Sequence, residues 1–376
     1  MFKPVVILFC AAALMLLAGC VAPGGEGGPP QEWSDTNIVE VPVPPRPVQW
    51  QPIPTVTKTN PLTTNAPVFR TNQAMARAVK PPPIYAYTSL NRWAAEQKLS
   101  APLLLTKSPL TTYSVSSKQG VFVLAIGSRE ATWNGVTCHL GFAPEFIDGQ
   151  VYVYGLDLRK SFEPLLTDPP LNLGGTNRVI VIDPGHGGVN AGTICSFDGR
   201  MEKEFTLDWA RRLVPLLVSN GWTVFLTRTS DVDISLSNRV AFAEAHHANV
   251  FISLHFNSAA PDKTESGLET YCLTPQGMAS TLTRGNPDFW SEWYPNNAYD
   301  EENFQLAIRL HTAVLRASGE EDRGVRRARF MGVLHGHHHP AILIEGGFLS
   351  NRAESSKIEA GDFRQHLAEA VANALK

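Results

Sequence analysis

An excess of basic charge, paired cysteines and an apolar run of membrane length are all missing from this chain of 376 residues. Lys and Arg number 32 against 35 Asp and Glu, for a net charge of -3. With no basic footprint, nucleic acid is not an expected partner. The five cysteines stand at positions 10, 20, 138, 195 and 272. None forms a Cys-x-x-Cys pair, which excludes a zinc knuckle or a thioredoxin-like motif. Cys138, Cys195 and Cys272 are odd in number, so at most one disulfide can join them. The apolar stretch Val5–Leu17 is too short to cross a bilayer comfortably.

What is present at the N-terminus reads as export followed by a tether. Lys3, the apolar stretch and the small residues closing Leu17-Ala18-Gly19-Cys20 have the layout of a signal peptide over 1–19. Leu-Ala-Gly-Cys resembles the lipobox of bacterial lipoproteins, which implies cleavage before Cys20, acylation of that cysteine and a membrane lipid anchor. Val21 in place of Asp would favour the outer membrane in a Gram-negative envelope. Half of the 28 prolines lie in Val21–Pro83, so 20–83 is expected to be a lipidated cysteine and a disordered Pro-rich linker. Extended at ~3.1 Å per residue it would reach about 190 Å.

Residues 84–168 read as a small α+β domain. Ser89–Gln97 has helical spacing with Leu90, Trp93 and Ala94 on one face. Strands are expected at Pro102–Leu105, Thr111–Val115, Val121–Ile126 and Gln150–Val153, with turns at Asn134-Gly135 and Asp148-Gly149. The segments Leu124–Gly135, Ala143-Pro144 and Gly149–Val153 resemble the copper amine oxidase N-terminal-like, or stalk, domain. That module binds no copper, which implies a role in spacing or wall adhesion. His139 is its single histidine.

From 177 to 376 the pattern alternates. Strands are expected at Val179–Ile182, Thr223–Leu226, Val250–His255, Leu268–Leu273 and Ala341–Ile344. Helices are expected at Glu204–Asn220, Leu236–His246, Glu301–Ala317 and Asp362–Leu375. The fold class is α/β: an open, largely parallel sheet flanked by helices.

Four residues stand at element ends here. His186 follows the first strand in Asp183-Pro184-Gly185-His186, where glycine and proline stop the pairing. Glu202 precedes the first helix, while His255 and Glu345 close apolar strands. A carboxylate directly after four apolar strand residues is costly unless paired or coordinated. Two imidazoles and a carboxylate form a catalytic Zn2+ shell, and a second carboxylate suits proton transfer from water.

Ile182–Gly188, Glu202-Lys203, Leu226–Arg228, Leu236–Arg239, Ile252–Asn257, Gly324-Val325 and Ile344–Asn351 resemble, in order, the zinc-dependent N-acetylmuramoyl-L-alanine amidases of the Amidase_3 type. The resemblance implies one Zn2+ held by His186, Glu202 and His255, with Glu345 as catalytic acid/base. It implies peptidoglycan as substrate, a cell-envelope location and an activator protein as a possible partner. Two other functional classes stand beside it: a non-catalytic peptidoglycan-binding lipoprotein and a zinc hydrolase of another amide.

Several assignments stay open at this level. Glu204 competes with Glu202 as ligand. Asp183 would brace either the second nitrogen of His186 or the turn, and Asn257 would orient His255 or a substrate carbonyl. Gly277–Asn297, with Trp290 and Trp293, is either a substrate wall or lid, or a surface loop packing its own aromatics. The tract His335-Gly336-His337-His338-His339 is read as a solvated loop, with a second metal site as the lesser alternative.

Overall fold

Two sheets carry the fold. The computed structural model describes residues 86–376 apart from 168–172, 174–177 and 196; the signal peptide, Cys20 and the tether lie outside the described residues. The first segment forms β1 (Tyr87–Ser89), α1 (Leu90–Glu96), β2 (Leu103–Thr106), β3 (Thr112–Ser116), β4 (Val121–Ala125), β5 (Glu130–Trp133), β6 (Val136–His139), β7 (Glu145–Ile147) and β8 (Gln150–Tyr154). The Asn134-Gly135 and Asp148-Gly149 turns join β5 to β6 and β7 to β8 as hairpins. Both asparagine and aspartate there take positive φ, 51° and 48°, as tight hairpin turns require.

The second segment supplies β9 (Arg178–Pro184), α2 (Glu202–Ser219), β10 (Trp222–Leu226), α3 (Leu236–Ala245), β11 (Val250–Asn257), β12 (Leu268–Cys272), α4 (Asp300–Ser318), β13 (Asp322–Arg327), β14 (Ala341–Phe348), α5 (Arg352–Glu359) and α6 (Gly361–Ala374). In the main sheet the order is β10-β9-β11-β14-β12-β13-β6-β5-β4-β3-β2. The four strands from β10 to β14 are parallel; β12 then runs antiparallel to β14, and β13 parallel to β12. The sheet is therefore mixed, because β12 reverses direction.

β13 escaped the reading of the sequence. Asp322-Arg-Gly-Val-Arg-Arg327 has a single apolar side chain besides its glycine and lacks any strand pattern. It is held by pairing on both sides, including Val325 with Cys138 of β6. That pairing makes the meander β2–β6 continuous with the α/β sheet.

Burial explains the helices. In α2, Phe205, Trp209, Ala210, Leu213 and Leu217 are buried at helical spacing, each large side chain stabilising by about 1.5–3 kcal/mol. The parallel strands β9, β11 and β14 are buried along nearly their whole length, as strands covered on both faces must be, while β10 at the sheet edge is only partly buried. Cys138, Cys195 and Cys272 are free and buried. Among the described residues no helix is long and apolar enough to cross a membrane.

Candidate active site

The parallel arrangement brings the C-terminal ends of β9, β11 and β14 to one rim, where open α/β sheets place ligands. His186 lies two residues past β9, with φ of 63°. Its backbone is pinned from behind by two buried guanidinium groups. Arg228 donates from Nε to the Pro184 carbonyl and from Nη2 to the Gly185 carbonyl, both at 2.9 Å. Arg239 donates to the Pro184 carbonyl at 2.9 Å and to the His186 carbonyl at 2.7 Å.

Asp183 holds Arg239 in an ion pair and also accepts from Thr227 and Ser253. It therefore braces the turn. The ring of His186 uses a different partner: its Nδ1 lies 2.9 Å from Asn190 Oδ1. Burial alone would raise Asp183, but the charge of Arg239 and the hydroxyl donors hold it below the usual carboxylate range.

Glu202 opens α2 and is buried, where the helix N-terminus favours a carboxylate. Its Oε1 accepts the Phe256 N–H at 3.0 Å and faces His255 Nδ1 at 2.9 Å. Its Oε2 accepts the Thr193 N–H at 2.8 Å and faces His186 Nε2 at 3.1 Å. Burial pushes this carboxyl up, but hydrogen bonds and charge from both histidines hold it far below its ordinary value. Glu204, two residues on, is turned away and lies at the surface beside Arg200. A step of two along a helix turns the side chain by about 200°.

The donor set fits a metal ion. One ligand atom from each of His186, Glu202 and His255 lies within 4.8 Å of the others. Asn190 Oδ1 also accepts the Gly192 N–H at 3.2 Å, which marks it as an acceptor. His186 Nδ1 must then carry the ring hydrogen, leaving a lone pair on Nε2. That lone pair confronts a carboxylate oxygen, an arrangement that calls for a proton or a cation between them. Side-chain exposures of 22% for His186 and 16% for His255 leave an opening to solvent.

Glu345 stands directly across from His255 in the β11–β14 register. Beyond it the ladder slips by one residue over Gly346-Gly347 before Phe348 pairs with Asn257, a bulge of the kind that redirects side chains at active sites. Its Oε2 is buried without a hydrogen-bond partner among the described residues. Burial, reinforced by Glu202 and opposed by His255 and Arg284, pushes this carboxyl up to about 8. Glu269 is its cross-strand neighbour on β12. Burial acts on that acid too, but Tyr271, Arg326 and Arg323 outweigh it and hold Glu269 below the usual range. Two adjacent carboxyls tuned in opposite directions are a recurring sign of divided acid–base roles.

Asn257 does not reach His255. It donates to Glu269 Oε2 at 2.8 Å and accepts from Arg284 Nη2 at 2.9 Å. Arg284 comes from the Gly277–Asn297 loop, whose Trp290 packs edge-on against Phe142 of the preceding segment, while Trp293 is exposed. The loop thus presents a cation to the site and anchors its aromatic elsewhere. Reading the sequence missed Asn190 and Glu269. Glu269 lies within an expected strand but follows a single apolar residue, Leu268, so it lacked the apolar run that singled out Glu345; Asn190 carried no signal.

The His335–His339 tract is not solvated. His337 and His339 are buried, and His338 alone of these three is exposed. Phe251 covers the His337 ring at 4.2 Å, and an Asn296 amide fixes the His339 carbonyl at 2.8 Å.

Residues 180–376 match the family model described as N-acetylmuramoyl-L-alanine amidase. The AmiC amidase of Escherichia coli O6:H1 is 30% identical over 243 residues, covering 58% of this chain and 58% of that protein. The AmiC amidase of Neisseria meningitidis serogroup B is 32% identical over 241 residues, covering 58% and 56%. The chain thus spans little more than half the length of these curated relatives. A solved N-acetylmuramoyl-L-alanine amidase from Clostridium difficile 630 is 28% identical, with a TM-score of 0.45, covering 54% of this chain and 96% of that one.

Proposed function

We propose, from the premise that this chain belongs to the N-acetylmuramoyl-L-alanine amidase family, that it hydrolyses the amide between the lactyl group of N-acetylmuramic acid and L-alanine in peptidoglycan. His186, Glu202 and His255 would hold one Zn2+, and Glu345 would move the proton. The observation that carries this reading is the convergence of two imidazoles and a buried carboxylate beside a second, unpaired carboxyl at one rim of the sheet. The envelope location, the lipid anchor at Cys20 and the spacing role of the stalk-like segment 84–168 belong to the same proposal.

Zn2+ in such a shell lowers the pKa of a bound water and polarises a carbonyl. The chain's own residues supply the rest. Asn190 keeps the hydrogen of His186 on Nδ1, so that Nε2 stays free to coordinate. Arg228 and Arg239 fix the turn that aims this ring. Glu345 would act as the carboxylate, its ionised form favoured by the cation charge of the filled shell, taking a proton from the attacking water and returning it to the departing alanine nitrogen. Glu345→Gln should retain zinc and fold while hydrolysis falls by about 100- to 10,000-fold, checked by metal analysis and peptide release. Full turnover in that variant would remove Glu345 from the mechanism.

A further inference from the structure

The buried histidines ahead of β14 make a second constellation that the proposed hydrolysis does not use. Glu244 on the last turn of α3 meets His337 and His339, with one ligand atom from each lying within 4.8 Å of the others. His337 Nδ1 is 3.9 Å and His339 Nδ1 3.3 Å from the same Glu244 oxygen. We propose that Glu244, His337 and His339 form a second binding site for a divalent ion of the Zn2+ type, with a structural role.

The tautomer of His337 carries the argument. Its Nε2 lies 2.9 Å from the Val333 carbonyl, which only accepts, so Nε2 bears the hydrogen and Nδ1 the lone pair. Nδ1 is fully buried and has no hydrogen-bond partner among the described residues. In His339 the nitrogen facing Glu244 is Nδ1; its other ring nitrogen, Nε2, is buried and has no hydrogen-bond partner among the described residues. An imidazole that donates one N–H to a backbone carbonyl and turns a bare nitrogen towards a carboxylate is arranged as metal-ligating histidines are. Without a cation, an unsolvated lone pair faces an anion, which is costly in the interior. Burial, helped in His339 by neighbouring imidazoles, pushes both rings down to about 4, so they are neutral as coordination requires.

Two imidazoles and one carboxylate suit Zn2+ rather than Mg2+ or Ca2+, which prefer all-oxygen shells. Glu244 is held in place on both sides: Oε1, the oxygen that faces the two buried imidazoles, accepts the His338 backbone N–H at 3.0 Å, and Oε2 lies 3.0 Å from His338 Nδ1. His338, with its side chain 66% exposed, and His339 line a surface cavity of about 290 Å³, which provides a route inward. The tract precedes the N-terminal end of β14, whereas Glu345 lies near the other end. At ~3.3 Å per strand residue the two sites are roughly 15–20 Å apart, so each can fill without the other. An ion there would staple α3 to the segment leading into β14.

The test is zinc stoichiometry on the full chain after chelator stripping and reloading, with competition titration for affinity. The wild type should bind two Zn2+ tightly. Glu244→Gln and His339→Gln should each weaken one site by at least 100-fold and abolish a zinc-dependent rise in Tm. His255→Ala should lose the other ion and keep this one, so failure of the hydrolase reading is distinguishable from failure of this site. Glu244 is only partly buried, so Glu244→Gln is the variant least exposed to a folding defect. A single ion in the wild type, or two ions undisturbed in Glu244→Gln and His339→Gln, would overturn the proposal. So would loss of the second ion only in His338→Ala.

Discussion

At the scale of single residues, the ligand cluster depends on a side chain that is not there. A Cβ on Gly192, whose φ is +68°, would fall 2.5 Å from Glu202 Oε2 and 2.6 Å from His186 Cδ2. Gly192→Ala should therefore displace both ligands and cut zinc affinity by about 10- to 100-fold, measured against a competing chelator. Gly199→Ala is the control: its φ is similar, +77°, but no described residue lies within 4 Å of a Cβ there, so only backbone strain of about 1–2 kcal/mol should follow. His186, His255 and Glu345 were legible in the sequence because each ends a run of apolar or glycine-rich residues. Glu202 was legible through its place ahead of a helix and the resemblance carried by Glu202-Lys203, and burial separates it from Glu204 in the fold. Asn190 was illegible because a polar residue in a turn has no periodicity to betray it. The burial of His337 and His339 was illegible too, since a run of histidines beside glycine has the composition of a loop. Gly346 is likewise a place for no side chain: a Cβ there would meet Phe256 and Trp209 at 2.9 Å.

At the scale of elements, the parallel strands were readable from their continuous apolar runs, but the clamp on the β9 turn was not. Arg228 and Arg239 look from the sequence like polar residues of a loop and a helix face, and both prove buried beneath His186. Burial and the nearby charge of Arg239 push Arg228 down to about 10, which leaves it a cation at neutral pH. Arg239→Met would strand Asp183 without its ion pair and take a donor from the Ile234, Pro184 and His186 carbonyls, of which Pro184 keeps Arg228. It should cost about 3–5 kcal/mol in denaturant unfolding, with weaker zinc binding; a loss below 1 kcal/mol would show that the turn holds itself. β13 shows where pattern reading stops: charged residues form a strand when neighbours on both sides offer hydrogen bonds.

At the scale of the molecule, the 86–167 segment is joined to the α/β sheet by more than β6. Asp322 accepts the Thr137 N–H at 2.7 Å, and Arg129 reaches the Ser280 carbonyl at 2.8 Å. Near this joint Asp157 is wholly buried under the Gly141-Phe142 backbone, whose N–H groups it accepts at 2.8 and 3.1 Å. Burial pushes it up to about 6, only partly offset by those donors. Between its ordinary value near 3.8 and 6 the folded chain holds a proton that the unfolded chain has lost. Stability from this group is therefore full below about pH 4 and falls by about 3 kcal/mol as pH rises through 6. Asp157→Asn should flatten that part of the profile in denaturant titrations, and an unchanged slope would refute it. The most direct trial of the whole account is mass spectrometry of products from purified muropeptides incubated with the zinc-loaded full chain. The account predicts stem peptides with a free L-alanine amine, intact N-acetylmuramic acid on the glycan, and no release after chelation. Cleavage at any other bond, or the same products with zinc removed, would contradict it.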